Sequence, residues 1–155
     1  MQHEEPLRRL AAHYASMPPV AAMRIDIAGF DGERLRLRAP LAEHVNDKGS
    51  AFGGSLVSLM TLAGWGLTTL RTEAAGLDAD VYVADSQIRY RAPLCDDLQA
   101  EAVLSDGDWD TFVRTLRTRG RARVQLAAQV VLPDGAVATG MQARYAAILR
   151  PGAER

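Results

Sequence analysis

The chain has 155 residues and a formal net charge of −1 at pH 7 with histidine neutral. That length suits one domain able to bury about 70% of its unfolded surface, and the charge balance gives no global attraction to nucleic acid or anionic lipid. A single cysteine, Cys95, rules out an internal disulfide, and the start MQHEEPLRRL has no apolar signal-peptide core, so a cytoplasmic protein is expected.

Leu7, Leu10, Ala11 and Tyr14 recur at helical spacing, and Pro18-Pro19 stops that helix; residues 1–19 therefore read as an N-terminal helical lid. Met23, Ile25 and Ile27 alternate with Arg24 and Asp26, and beyond Asp31-Gly32 the residues Leu35 and Leu37 alternate with Arg34, Arg36 and Arg38. This predicts a hairpin with one apolar face. A polar loop from His44 then leads into residues 51–70, which carry no charged side chain. A helix without a charged stripe is expected to be buried on every side, here running to about Ala74 and ending near Gly76. Four glycines and five Ser/Thr within residues 51–70 leave it too weakly apolar for a membrane span. At its start Gly53 and Gly54 permit close approach, and Ser55 is expected to cap the first turn. With the helix dipole, that end can receive an oxyanion or phosphate.

Strand patterns follow over residues 80–91 and 98–105, separated by Pro93 and an acidic turn. Trp109, Phe112, Val113 and Leu116 predict an inserted amphipathic helix near residues 108–118, before Gly120. Ala122, Val124, Leu126, Ala128 and Val130 then alternate with Arg121, Arg123 and Gln125, and after Pro133-Asp134-Gly135 a last strand carries Val137, Thr139, Met141, Ala143, Tyr145 and Ala147. The expectation is an α+β domain, a mainly antiparallel sheet of about six strands curled round one long helix.

The order of these elements, with Asn46-x-x-Gly49-x-x-Phe52-Gly53-Gly54, resembles the hotdog-fold acyl-CoA thioesterases, in particular the putative thioesterase domain of the YiiD C-terminal type. The segments Gly49-Ser50-Ala51-Phe52-Gly53-Gly54-Ser55-Leu56, Leu62-Ala63-Gly64-Trp65-Gly66 and Ala84-Asp85-Ser86-Gln87-Ile88-Arg89-Tyr90 carry the likeness, which spans residues 20–149. It implies a single hotdog domain over residues 1–155, its core at 20–149 behind the 1–19 extension. It implies an acyl-CoA or acyl-carrier-protein substrate with no cofactor or metal, and a homodimer or dimer of dimers. Strands near residues 80–90 of two subunits would pair, with acyl sites between the subunits.

Thioester hydrolysis needs a group that activates water, donors for the developing oxyanion and a slot for the acyl chain. By resemblance the amide of Gly54 or its neighbour holds the thioester oxygen, Asn46 orients water or the carbonyl, and Phe52, Gly53, Ser55, Ser86 and Trp65 bind substrate. Asn46 also reads as an ordinary turn residue, and Trp65 as plain core beside Leu59 and Leu62. Many related enzymes carry an Asp or Glu two turns into the helix, where this chain has Thr61, and a histidine where it has Phe52. A neutral hydroxyl is no general base without a partner, so Thr61 shifts the search for a base elsewhere.

Asp85 interrupts an otherwise apolar strand, and partial burial would raise its pKa toward that of a useful base. Strand alternation groups Asp85 with Val81, Val83 and Gln87, and Ser86 with Tyr82, Ala84 and Ile88, so only one of the two faces a given pocket. The competing reading of Asp85 is a salt bridge to Arg89 or a structural bond across a dimer. His44 is a second acid–base candidate, or an exposed loop histidine; Asp47 reads as a turn or cap residue, and Cys95 as an incidental turn thiol. Arg114, Arg117, Arg119, Arg121 and Arg123 could receive coenzyme A phosphates or form a solvated face. Thioester hydrolysis is the expected function, with a non-catalytic acyl-ligand binding or assembly module as the alternative. A hydratase or dehydratase would need a paired histidine and acid at the helix entrance, which Phe52 and Thr61 do not supply.

Overall fold

The computed structural model describes residues 2–152. Helices α1 (Glu4–Ser16) and α2 (Pro18–Ala21) precede the hairpin β1 (Asp26–Phe30) and β2 (Leu35–Ala39). A 3₁₀ turn over Leu41–Glu43 leads to the long helix α3 (Gly53–Ala74), followed by β3 (Ala79–Tyr90), β4 (Leu98–Asp106), α4 (Trp109–Arg119), β5 (Arg121–Val131) and β6 (Val137–Leu149). All pairings are antiparallel, in the order β1-β2-β4-β5-β6-β3. The inserted helix appears where its apolar spacing predicts it. Asp108 caps it through Thr111 N–H at 2.7 Å, and Gly120 ends it with φ +77°.

The sheet curls round α3 because one face of each strand is apolar. On β6, Met141, Ala143, Tyr145 and Ala147 are buried while Gln142 and Arg144 are exposed, and on β5 Val124, Leu126, Ala128 and Val130 turn inward. Two helix glycines make this packing possible. A Cβ on Gly64 would overlap the Tyr145 hydroxyl, and one on Gly66 would overlap the Tyr14 hydroxyl and Leu35. Tyr145 donates to the Thr61 carbonyl at 2.8 Å and Tyr14 to the Leu62 carbonyl at 2.6 Å. Burial holds both phenols above their ordinary pKa, with the neighbouring Tyr145 adding to the effect at Tyr14, so both remain donors at neutral pH. Through Leu10 and Tyr14, α1 belongs to the core rather than merely lying over it.

Two expectations for α3 need correction. Phe52 is the N-cap and no side chain caps the helix, because the Ser55 hydroxyl is engaged elsewhere. The helix is also not buried on every side: Gly54 and Ser58 are exposed, and Val57, Thr61 and Leu62 are only half-buried. Sheet and α1 cover the rest of its circumference, and the strip left open starts at the helix N-terminus. No helix among the described residues is long and apolar enough to cross a membrane.

Candidate functional site

A cleft of about 670 Å³ follows that open strip, bounded by Val20 and Met23 on one side and by Phe52, Gly54, Ser55 and Thr61 on the other. Its floor is the first two turns of α3. The loop that delivers the chain to this point is held by Asn46. Its Oδ1 accepts from Lys48 N–H at 2.8 Å and Ser50 N–H at 3.1 Å, while its Nδ2 donates to Ser50 Oγ at 2.9 Å. Gly49, at φ +80°, makes the reversal that lets Asn46 N–H reach the Ser50 carbonyl at 2.8 Å. The side chain of Asn46 is therefore bonded within its own loop.

Closing the loop brings His44 against the helix start. Phe52 N–H donates to the His44 carbonyl at 2.7 Å, and the imidazole, 5% exposed, is bonded at both nitrogens. Nε2 lies 2.7 Å from the Met23 carbonyl and Nδ1 2.8 Å from Ser55 Oγ. A carbonyl can only accept, so in the neutral ring Nε2 carries the proton and Nδ1 accepts from the Ser55 hydroxyl. His44 is thus not an exposed loop residue: it is a buried imidazole bonded to the hydroxyl of Ser55, and both residues line the cleft. Arg24, just after Met23, has φ +55°, the one non-glycine residue with positive φ among those described.

The first amides of α3 complete the site. Intrahelical bonding begins with Ser55 and Leu56 N–H donating to the Phe52 carbonyl at 3.0 and 3.1 Å, which leaves the amides of Gly53 and Gly54 without an acceptor among the described residues. The Phe52 ring, 56% exposed, covers Gly54 closely enough that a Cβ there would overlap it. The Tyr90 ring covers Gly53 and its hydroxyl donates to the Gly53 carbonyl at 3.2 Å. Thr61 borders the cleft, but its hydroxyl is directed to Met141 Sδ at 3.9 Å, a weak acceptor that does not activate it.

Asp85 does not join this group. A bulge between Val83 and Asp85 shifts the phase of β3, so Val83 pairs with inward Tyr145 whereas Asp85 pairs with outward Arg144 and Ser86 with inward Ala143. Directly opposed residues share a face, so the inward set is Val81, Val83, Ser86 and Ile88, a grouping that unbroken alternation does not give. Asp85 is about half exposed on the outer surface and bonded to Arg144, whose Nε lies 2.9 and 3.1 Å from the two carboxylate oxygens and whose Nη2 also contacts Oδ2. Hydrogen bonding from Arg144 holds its carboxyl below the ordinary range, the reverse of the rise a buried base would show. The expected partner Arg89 is replaced by Arg144 because the bulge turns the carboxylate toward β6. The bulge gives Ser86 the helix-facing orientation instead, exposed at the sheet edge.

The remaining candidates scatter. Trp65 donates Nε1–H to the Val81 carbonyl at 2.9 Å and lines a separate concavity with His13 and Thr69, so it ties β3 to α3 away from the entrance cleft. The arginine run is split: Arg117 donates to the Ala75 carbonyl at the far end of α3, while Arg121 and Arg123 stand exposed on β5. None of the five lines the entrance cleft. Asp47 pairs with Lys48 in the open, and Cys95 is an exposed turn thiol. A concavity of about 700 Å³ between Arg34, Arg89 and Glu101 contains none of the predicted site residues. No cluster of three or more potential metal ligands exists among the described residues. Glu43, exposed at the rim, is the one carboxylate among the described residues that lines the entrance cleft, and no sequence pattern singles it out. Its place in a 3₁₀ turn directly before His44 gave no periodic signal.

The model of a family described as putative thioesterase (yiiD_Cterm) matches residues 8–148. Among solved structures, a putative thioesterase from Shewanella oneidensis is 30% identical with a TM-score of 0.84, the match covering 94% of this chain and 99% of that one. A protein of unknown function from Chlorobaculum tepidum is 26% identical with a TM-score of 0.87, covering 92% and 94% of the two chains. A Pseudomonas aeruginosa protein described as a probable thioesterase has a TM-score of 0.78 at 23% identity over 92% and 95% of the chains, a likeness of fold alone.

Proposed function

This chain belongs to the putative thioesterase family of the YiiD C-terminal type, and from that premise we propose that it hydrolyses acyl thioesters, carried on coenzyme A or an acyl carrier protein, in the cleft beside the α3 N-terminus. The observation that carries this reading is the pair of unengaged amides at Gly53 and Gly54 at the start of α3, where Gly54 lines a cleft with apolar walls. A thioester oxygen accepting from these amides gains most when it becomes an oxyanion, and the positive end of α3 strengthens that preference. Val20, Met23, Val57 and Leu62 offer apolar surface to an acyl chain, and Phe52 covers the reacting end.

In the same reading the working form is a homodimer. Among the described residues the outer edge of β3 has no paired strand along its twelve residues, and Tyr82, Val83 and Tyr90 are exposed on β3. A long open edge of this kind favours pairing with a second copy, which would also cover the open strip of α3.

Thiol release from a panel of thioesters, from acetyl- to palmitoyl-coenzyme A and the matching acyl carrier proteins, tests the activity. Gly54→Pro removes the amide hydrogen at a position where helices accept proline, and Gly54→Ala controls for displacement of Phe52. The proline variant is expected to lose about 10²–10³-fold in kcat relative to the alanine variant. Saturable acyl-ligand binding without release from any thioester would replace catalysis by binding as the function.

A further inference from the structure

We propose that Ser55 is a nucleophile and His44 its base, so that hydrolysis passes through an acyl-serine formed in the first turn of α3; this inference rests on the thioesterase reading. Three features of the pair set it apart from a merely satisfied core histidine. The Nε2–H bond to the Met23 carbonyl fixes the tautomer that leaves the Nδ1 lone pair on Ser55, 2.8 Å away. The hydroxyl so engaged opens onto the cleft, while the imidazole behind it is 5% exposed. The unengaged amides of Gly53 and Gly54 immediately precede the serine in the chain. A nucleophile, a base within hydrogen-bond reach and a third group that orients the base are the elements an activated serine requires. Here the backbone carbonyl of Met23 is the orienting group.

The chemistry balances without any further reagent. Ser55 Oγ bonds to the thioester carbonyl carbon as its proton passes to Nδ1 of His44, and the oxyanion is held by the helix amides. Collapse breaks the carbon–sulfur bond, and the departing thiolate takes the Nδ1 proton to leave as thiol. Water then attacks the acyl-serine while Nδ1 accepts its proton. The second collapse returns that proton to Oγ, freeing carboxylic acid and the original hydroxyl. Throughout, Nε2–H keeps its bond to the Met23 carbonyl, which stabilises the transient imidazolium.

The test uses the intact chain with one acyl group presented as its coenzyme A thioester and as its p-nitrophenyl ester, in the presence of hydroxylamine. A shared acyl-serine predicts the same ratio of hydroxamate to free acid from both donors, because the leaving group has gone before the ratio is decided. Ser55→Ala should lower kcat/KM at least about 10²-fold with its near-ultraviolet dichroism unchanged, and Ser55→Cys should retain acyl transfer and show the acyl adduct by mass. A ratio that changes with the leaving group, or a Ser55→Ala enzyme as active as the parent, overturns the proposal while leaving thioester hydrolysis intact. Loss on Glu43→Gln with none on Ser55→Ala would assign the role to direct water activation. If no thioester is cleaved by the parent, a fluorophosphonate decides separately. Labelling at Ser55 that is lost in His44→Gln upholds the activated serine and overturns the thioesterase reading, and no labelling overturns both.

Discussion

The entrance of α3 and the bulged middle of β3 each hold an ionisable side chain beside apolar sequence, yet the fold treats them in opposite ways. At the helix entrance His44 is buried, bonded at both ring nitrogens and set against the hydroxyl of Ser55, which lines a cleft together with Gly54. On β3, Asp85 stands half exposed against Arg144, its proton affinity lowered. A reactive base needs a lone pair that is both protected from water and available to a substrate group. At the entrance the proposed relay for the His44 lone pair is the Ser55 hydroxyl that borders the cleft, whereas the ion pair occupies the Asp85 carboxylate with a cation in solvent. The contrast shows that an ionisable side chain beside apolar sequence ends either buried against a cleft or paired in solvent, according to its tertiary surroundings.

The largest expected effects fall at the entrance. Beyond the loss anticipated for Gly54→Pro, Asn46→Ala should remove the acceptor for two loop amides and let His44 drift from Ser55. Unfolding by urea is expected to show a loss of about 1–3 kcal/mol, together with a fall in kcat larger than any change in KM; an unchanged kcat would mean that the loop does not position His44. Gly64→Ala comes next, since its methyl would collide with the Tyr145 hydroxyl, and about 1–3 kcal/mol of destabilisation should follow from overpacking, measurable as a lower denaturation midpoint. Tyr14→Phe, which deletes the bond to the Leu62 carbonyl, should cost about 1 kcal/mol and lower the melting temperature by a few degrees in calorimetry.

The smallest effects belong to β3. Asp85→Asn should leave thiol release at neutral pH within a factor of about three, far short of the loss that removing a general base brings; a larger loss would return Asp85 to the mechanism and erase the contrast drawn above. The pH dependence has a definite sign. Because Arg144 depresses the folded-state pKa of Asp85, the pair contributes stability above the unfolded aspartate pKa. That contribution is lost as pH falls through the lower, folded value. Acid titration of the melting temperature should therefore show a parent–Asp85→Asn difference that closes at low pH, and added salt should shrink it because the pair is exposed.

The predicted helix, charge-free over residues 51–70 and expected to run to about Ala74, is present as Gly53–Ala74, its uncharged surface buried except along one strip. The inserted α4 and the alternating β5 and β6 were legible for the same reason, each showing one apolar stripe at its own period. The unengaged amides of Gly53 and Gly54 could be anticipated too, since every helix leaves its first N–H groups unpaired. Less was legible of the side chains around them. Ser55 read as a cap, but its hydroxyl is taken by His44, whose position depends on a loop folded by Asn46 and Gly49 and on a carbonyl supplied from Met23, 21 residues upstream.

By itself the sequence determined which segments must be dry, and hence the elements, the curled sheet and the glycine-led helix start, because burial follows from periodicity along a single element. The tertiary structure alone decided the direction of each polar group. One extra residue at the β3 bulge reversed Asp85 and Ser86 between the faces of the sheet, and one closed loop placed an imidazole on a serine. Facing and pairing depend on registers between elements distant in the chain, and a shift of one residue changes the chemistry while leaving the hydrophobic pattern almost untouched.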